Sequence, residues 1–329
     1  MEHVARRHLE LFSGRSHPQL AQEIADALHV NLGEVSLREF ANGEIYCKFA
    51  KSVRGFDVFI LQTHCDPVNQ SIMEQLIMID AAKRASAKRI TAVCPFYGYS
   101  RQDRKATGRE PITAKLVADL LSVAGADRVV SVDLHSGQIQ GFFNVPVDHL
   151  TASPVLLDYL VREDDPEIVM VSPDAGRVRV AERFSQLLEK RFDREVGLAF
   201  VAKRRHTSTT GQVEAMNVVG EVEGRRCVVI DDMIDTAGTV CAAADLLLEQ
   251  GAIEVWAMAT HAVLSDPALD RLKASEISRV VVTNTLPLPP ERTIDKIEVL
   301  SVANIIAAAL NAVFQDSSVS EIFDGYNQT

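Results

Sequence analysis

The segment CVVIDDMIDTAGTV, Cys227 to Val240, holds residue types suited to chemistry on a phosphorylated ligand. An apolar, β-branched run, Val228 to Ile230, ends in two acids, Asp231 and Asp232. Asp235, Thr236, Ala237, Gly238 and Thr239 then open an alanine- and leucine-rich stretch of helical character. A buried strand, a tight loop and a helix N-terminus make an anion site, because free amides and the positive end of the helix dipole face whatever sits there. Gly238 lets the backbone approach a phosphate closely, and Thr236 and Thr239 add hydroxyl donors. Asp231 and Asp232 cannot bind phosphate; such acids accept from sugar hydroxyls or hold a divalent cation. A phosphorylated sugar satisfies both halves of the loop. The plainer alternative is an ordinary joint capped by Asp235, which needs one acid where three are present.

Other clusters surround this reading. The net charge of −11 argues against nucleic-acid binding, and any anionic substrate must be drawn by local basic groups. Two such groups exist: Arg101, Arg104, Lys105 and Arg109, then Lys203, Arg204 and Arg205. In CPFYGYSRQDRKATGREPIT, Phe96, Tyr97 and Tyr99 could stack on a base while Arg101 and Arg104 fork onto phosphates, the plainer alternative being a solvated surface loop with a few packed aromatics. SVDLHS places Asp133 and His135 just past a strand end, and VSPDAG places Asp174 likewise. In open parallel sheets ligands bind outside the carboxyl ends of the strands. The stretch from Val201 to Gly220 begins with the cationic triplet and has no apolar anchor from His206 to Gln212, which reads either as a mobile loop closing over phosphates or as a solvated hairpin tip. No P-loop, Rossmann glycine fingerprint, HExxH or nucleophile elbow occurs.

Positioning these groups takes an alternating framework. The chain's 329 residues suffice for two domains with full cores. Strand patterns at 57–63, 89–95, 128–133, 167–172, 197–202, 226–231 and 254–260 alternate with helical patterns at 66–87, 112–124, 178–190 and up to Gln250. That rhythm predicts an α/β fold with mostly parallel sheets flanked by helices. The two halves look duplicated: ADLLSVAGADRVVSVDLH (Ala118–His135) aligns without gaps on ADLLLEQGAIEVWAMATH (Ala244–His261). The N-terminal copy of the phosphate loop then falls at Gly108–Thr113, which lacks an acid pair and carries Pro111. The expected boundary lies near Leu150–Thr151, dividing 1–150 from 151–329. The N-terminus does not read as a signal peptide, no apolar run has transmembrane length, and five scattered cysteines suit a reduced, cytoplasmic protein.

Taken together, FANGE, DPVNQSIMEQLIMIDAAKRASAKRI, PFYGYSRQDRK, GREPITAKL, DLHSGQIQGFF, VSPD, KRR and IDDMIDTAGT resemble the ribose-phosphate diphosphokinases (PRPP synthetases) of the phosphate-activated class. The order of RQDRK, DLHS and KRR is the restrictive part, since phosphoribosyltransferases share the acid-pair loop. The resemblance implies two phosphoribosyltransferase-type domains, the N-terminal one making ATP and regulatory contacts and the C-terminal one holding ribose 5-phosphate. It implies dimers within a homohexamer and transfer of the diphosphoryl group of ATP to the anomeric hydroxyl of ribose 5-phosphate. By position, Asp231, Asp232, Asp235, Thr236, Ala237, Gly238 and Thr239 would hold ribose 5-phosphate, with Mg²⁺ at the acid pair. His135 and Asp174 would serve metal and nucleotide. Arg101, Gln102 and Arg104 would bind ATP, with Phe40, Asn42 and Glu44 reaching the adenine from a neighbouring subunit. Lys203 and Arg205 would act on the transferring group. Ser52, Arg54, Gln140, Asp148, His149, Ser318 and Ser320 would form a regulatory site activated by inorganic phosphate and inhibited by ADP. Three departures stand out: Asn42 where many members have Asp, Arg177 where Gly is common, and a longer segment after Arg205. A phosphoribosyltransferase, which consumes the diphosphate, and a silent regulatory subunit are the competing readings.

Overall fold

Apolar runs buried on both faces need no polar alternation, so they settle as central parallel strands. The computed structural model describes residues 8–165, 167–208 and 211–323, with the backbone alone over 203–208 and 211–216. It divides into two units, one of residues up to Thr151 with Thr285–Pro287 and the chain from Ser301, the other of Ala152–Asn284 and Leu288–Leu300.

The first unit contains β1 (Leu9–Ser13), α1 (Pro18–Leu28), β2 (Val35–Glu39), β3 (Ile45–Phe49), β4 (Asp57–Leu61), α2 (Val68–Arg84), β5 (Arg89–Cys94), α3 (Thr113–Ala124), β6 (Arg128–Val132) and β7 (Val147–Leu150). Five strands form a parallel sheet in the order β1-β4-β5-β6-β7, while β2 and β3 pair as a separate antiparallel hairpin. The strand order moves one way across the sheet. Val58, Ile60, Ile79, Ala92, Ala118, Leu121 and Val129 pack as its core.

The second unit contains α4 (Ser153–Glu163), β8 (Ile168–Ser172), α5 (Val178–Phe192), β9 (Gly197–Ser208), β10 (Gly211–Val219), β11 (Arg226–Ile234), α6 (Gly238–Glu249), β12 (Glu254–Ala262), α7 (Ala268–Ala274), β13 (Arg279–Thr283) and β14 (Ile297–Leu300). Its sheet runs β10-β9-β8-β11-β12-β13-β14, parallel except for β10 against β9. From β8 the chain steps outward to β9, and from β11 it steps the other way to β12. The order therefore reverses between β8 and β11, the place where open α/β sheets leave a ligand crevice. The chain then returns to the first unit as α8 (Ala303–Phe314), which packs on α1 and β7.

Three expectations change. The C-terminal segment from Ser301 belongs with the first unit, because an apolar helix face must be covered and α1 covers it. The stretch read as a mobile loop is a ladder in which Thr207 pairs with Gln212, with the tip at 209–210 outside the described residues. The strand expected to stop at Asp231 continues to Ile234, still paired with β12 after its last β8 partner at Val229. The duplicated stretches adopt the same helix–turn–strand form, with Leu121 and Leu247 fully buried and the chain reversing at Gly125 (φ 124°) and Gly251 (φ 90°).

Candidate functional site

Asp231 and Asp232 sit on the part of β11 that outruns β8, so the β8–α5 turn reaches them instead of a strand. Arg177 comes from that turn. Its guanidinium lies 2.8 Å from Asp232 and 3.5 Å from Asp231. Asp231 also accepts from the Asp232 amide at 2.8 Å. Burial, then the charge of Asp232, push the Asp231 carboxyl up to about 8, with Arg177 working in the opposite direction. Asp174 stands in the same turn, where its carboxylate accepts from the amides of Gly176 (2.7 Å) and Arg177 (3.2 Å). The strand order thus brings Asp174, Asp231 and Asp232 to one corner of the second unit, with Arg177 linking them.

The phosphate loop follows directly. Ala237, not Asp235, is the N-cap of α6, and an alanine has no side-chain acceptor with which to cap it. Ala237 takes a left-handed conformation (φ 59°, ψ 1°). Thr236 and Thr239 are exposed, while Asp235 and Gly238 are half-buried. Arg271 of α7 donates to the Thr236 carbonyl at 2.9 Å. The sequence reading missed Arg271 altogether and noted Arg177 only as a departure; neither lies in a motif, and contact through the fold alone connects them to the loop.

In the first unit, the segment after β5 and the segment after β6 meet. Ser136 donates to Asp103 at 2.6 Å. Gln102 accepts from the Thr113 hydroxyl at 2.6 Å, and its carbonyl accepts from the Ala114 amide at 3.2 Å, which joins the cationic loop to the start of α3. Arg101 and Arg104 are exposed. Phe96 and Tyr97 do not offer themselves to a base: both are buried, Tyr97 donating to the Ala114 carbonyl at 2.8 Å, because a strand end this deep draws its aromatics into the core. Beneath them His64 accepts from the Gly98 amide at 3.0 Å and therefore donates through Nε2 to Gln75 at 2.8 Å. Burial pushes His64 down to about 4, keeping it neutral. His135 lies half-buried in this unit and Asp174 in the other.

The β2–β3 turn presents Phe40, 47% exposed, with the Arg38 guanidinium 5.5 Å from its ring centroid. Asn42 shapes that turn by accepting from the Glu44 amide at 3.2 Å. The residues assigned to regulation form local pairs. Ser52 accepts from the Arg54 amide (3.4 Å), Ser318 meets Ser320 (2.9 Å), and Gln140 meets His149 (3.4 Å). His149 also accepts from the Leu134 amide at 2.9 Å, and Asp148 pairs with Arg128 at 2.7 Å. Lys203 and Arg205 lie on β9, and their side chains are outside the described residues.

Among the described residues no three His, Cys, Asp or Glu side chains come together to ring a metal ion. The acid pair nevertheless suits a hard cation that keeps waters and takes its remaining ligands from substrate phosphates, as Mg²⁺ does.

Residues 9–125 match the family described as the N-terminal domain of ribose phosphate pyrophosphokinase, and residues 201–324 match the phosphoribosyl synthetase-associated domain. The chain is 54% identical over 322 residues to a ribose-phosphate pyrophosphokinase of Streptomyces avermitilis, covering 98% of each. It is 52% identical to one from Mycobacterium tuberculosis, covering 97% of each. The crystal structure of phosphoribosylpyrophosphate synthetase from Mycobacterium smegmatis superposes with a TM-score of 0.89 at 52% identity, over 94% of this chain and 100% of that one. The chain belongs to the ribose-phosphate pyrophosphokinase family.

Proposed function

We propose that the chain transfers the diphosphoryl group of ATP to the anomeric hydroxyl of ribose 5-phosphate, giving 5-phosphoribosyl 1-diphosphate and AMP. One observation carries this reading: an acid pair and a helix N-terminus share one strand–loop–helix at the switch point, in a chain of this family. Asp231 and Asp232 accept from the ring hydroxyls, while amides and hydroxyls from Asp235 to Thr239 take the 5-phosphate. Ala237 and Gly238 supply main chain to that cradle.

Within the first unit, Arg101, Gln102 and Arg104 bind the nucleotide, and Phe40, Asn42 and Glu44 reach the adenine of a neighbouring copy. The exposed Phe40 ring supports that role. Lys203 and Arg205 steady the charge that grows on the transferring group, so their effect falls on turnover. Attack is in line by the anomeric oxygen on the β-phosphorus, and the oxygen joining the α- and β-phosphorus atoms leaves with AMP. The sites contribute mainly position and charge. The acid pair would hold Mg²⁺ beside the pentose, and His135 and Asp174, each in its own unit, would serve the metal on the nucleotide side; the ion when bound neutralises phosphate charge.

We assign phosphate activation and ADP inhibition to Ser52, Arg54, Gln140, Asp148, His149, Ser318 and Ser320. We assign a homohexamer built from dimers. Support for assembly comes from α3 and its N-cap, which expose Ile112, Leu116 (55%), Leu120 and Val123 (77%) at helical spacing. An apolar stripe of this kind marks a contact surface. No helix among the described residues is long and apolar enough to cross a membrane, and a cytoplasmic enzyme of nucleotide biosynthesis fits the reading.

The test is release of AMP from ATP and ribose 5-phosphate, run with and without inorganic phosphate. AMP formed only when both substrates are present supports the function; diphosphate release from the product in the presence of a base, without AMP formation, supports a phosphoribosyltransferase instead. A rate indifferent to phosphate removes the regulatory assignment.

A further inference from the structure

Arg271 lies on α7, beyond the next strand in sequence, yet its guanidinium reaches the loop before α6. Its Nη1 donates to the Thr236 carbonyl at 2.9 Å. In a trans peptide the carbonyl and the following N–H point in opposite directions. The bond that draws the Thr236 carbonyl towards Arg271 therefore turns the Ala237 N–H to the other side of the loop. Ala237 itself is left-handed (φ 59°), a conformation an alanine keeps only when its surroundings hold it there. Gly238 completes the arrangement. A Cβ at that position would lie 3.2 Å from Arg271 Nη1, so the missing side chain leaves room for the guanidinium.

We propose that Arg271 is a positioning residue for ribose 5-phosphate: by holding the Thr236–Ala237 peptide in one orientation, it aims the Ala237 amide at the 5-phosphate ester. This rests on the reading of the α6 N-terminus as the phosphate cradle. Arg271 acts through the peptide and touches no reacting atom. Its contribution falls on binding of the pentose ester and leaves the nucleotide and the transfer step alone. The added positive charge near the loop works in the same direction.

Steady-state kinetics of Arg271→Met, Arg271→Lys, Gly238→Ala and the Arg271→Met/Gly238→Ala double variant test the assignment. Arg271→Met is expected to raise KM for ribose 5-phosphate about tenfold while KM for ATP and kcat stay within about threefold. Arg271→Lys recovers most of the loss, because an ammonium can donate to the same carbonyl. Gly238→Ala raises the same KM in the parent chain and adds little once the guanidinium is gone. An unchanged KM for ribose 5-phosphate in Arg271→Met overturns the proposal. So does a joint loss in kcat and both KM values, or an equal Gly238→Ala factor in both backgrounds. If Arg271→Met does not fold, Arg271→Gln takes its place: the proposal stands if KM for ribose 5-phosphate alone rises, and falls otherwise. A parent chain that releases no AMP defeats the functional reading, whereas an active parent with an indifferent Arg271→Met defeats only this inference.

Discussion

Two helix starts in this molecule descend from what reads as one duplicated element, and they have been finished differently. Before α3, the Glu110 carboxylate accepts from the amides of Ala106 (2.8 Å) and Thr107 (3.0 Å) and from the Thr107 hydroxyl (2.7 Å). The loop carries its own anion. Neither Ile112 before α3 nor Ala237 before α6 caps its helix through a side chain, but before α6 an arginine from another helix bonds to a carbonyl of the loop. The sheets differ in the same sense. The first orders its strands one way, from β1 to β7, whereas the second reverses between β8 and β11, next to the α6 start. An anion site thus needs more than a helix N-terminus: the α6 start adds a brace from another helix and a sheet position where neighbouring loops diverge.

The largest effect should come from the α6 start. Asp231→Ala is expected to lower AMP release by about a hundredfold or more, because the pentose loses a hydroxyl partner. An assay at saturating substrates showing less than a tenfold loss would break the contrast between the two loops. Lys203→Ala is expected to cut kcat by about 10²–10³ with KM values little changed. Intact turnover with large losses of affinity would refute its action on the transferring group.

Intermediate effects belong to the acid pair's electrostatics. Arg177→Gln leaves the Asp232 carboxylate without its counter-ion and should destabilise the ligand-free protein by about 1–3 kcal/mol at neutral pH, read by denaturant unfolding. Asp231, raised from 3.8 to about 8, stays protonated in the folded chain where the unfolded chain has already ionised. Its contribution to stability is therefore present below about pH 4 and lost as pH rises towards 8. Melting temperature of the ligand-free protein should fall across that window, and Asp231→Asn should flatten the fall; an unchanged slope in Asp231→Asn would contradict the assignment.

The smallest effect is expected at the α3 start. Glu110→Gln keeps the shape of the side chain and should leave AMP release within about twofold, since it changes an exposed loop outside the substrate contacts. A loss comparable to that of Asp231→Ala would show that the α3 loop is itself part of the site, and the comparison would have to be redrawn.

Much of this was legible in the residues. The alternation of runs such as Val228–Ile230 with amphipathic stretches specifies parallel strands and helices locally, because burial and periodicity act within a few residues. Asp231, Asp232 and Gly238 stand close enough in the chain to be read as one loop. The burial of Tyr97 was not legible, since its partner, the Ala114 carbonyl, lies on a later helix. The return of α8 to the first unit was hidden for the same reason: which apolar face covers another depends on the whole fold.

The sequence by itself determined which residues hold charge, where the turns fall and which loop offers amides to an anion, because those properties are set by neighbours along the chain. Only the tertiary structure decided that Arg177 sits on the acid pair and that Arg271 braces the phosphate loop. Each comes from another part of the chain, and strand order, which no local pattern encodes, carries it there.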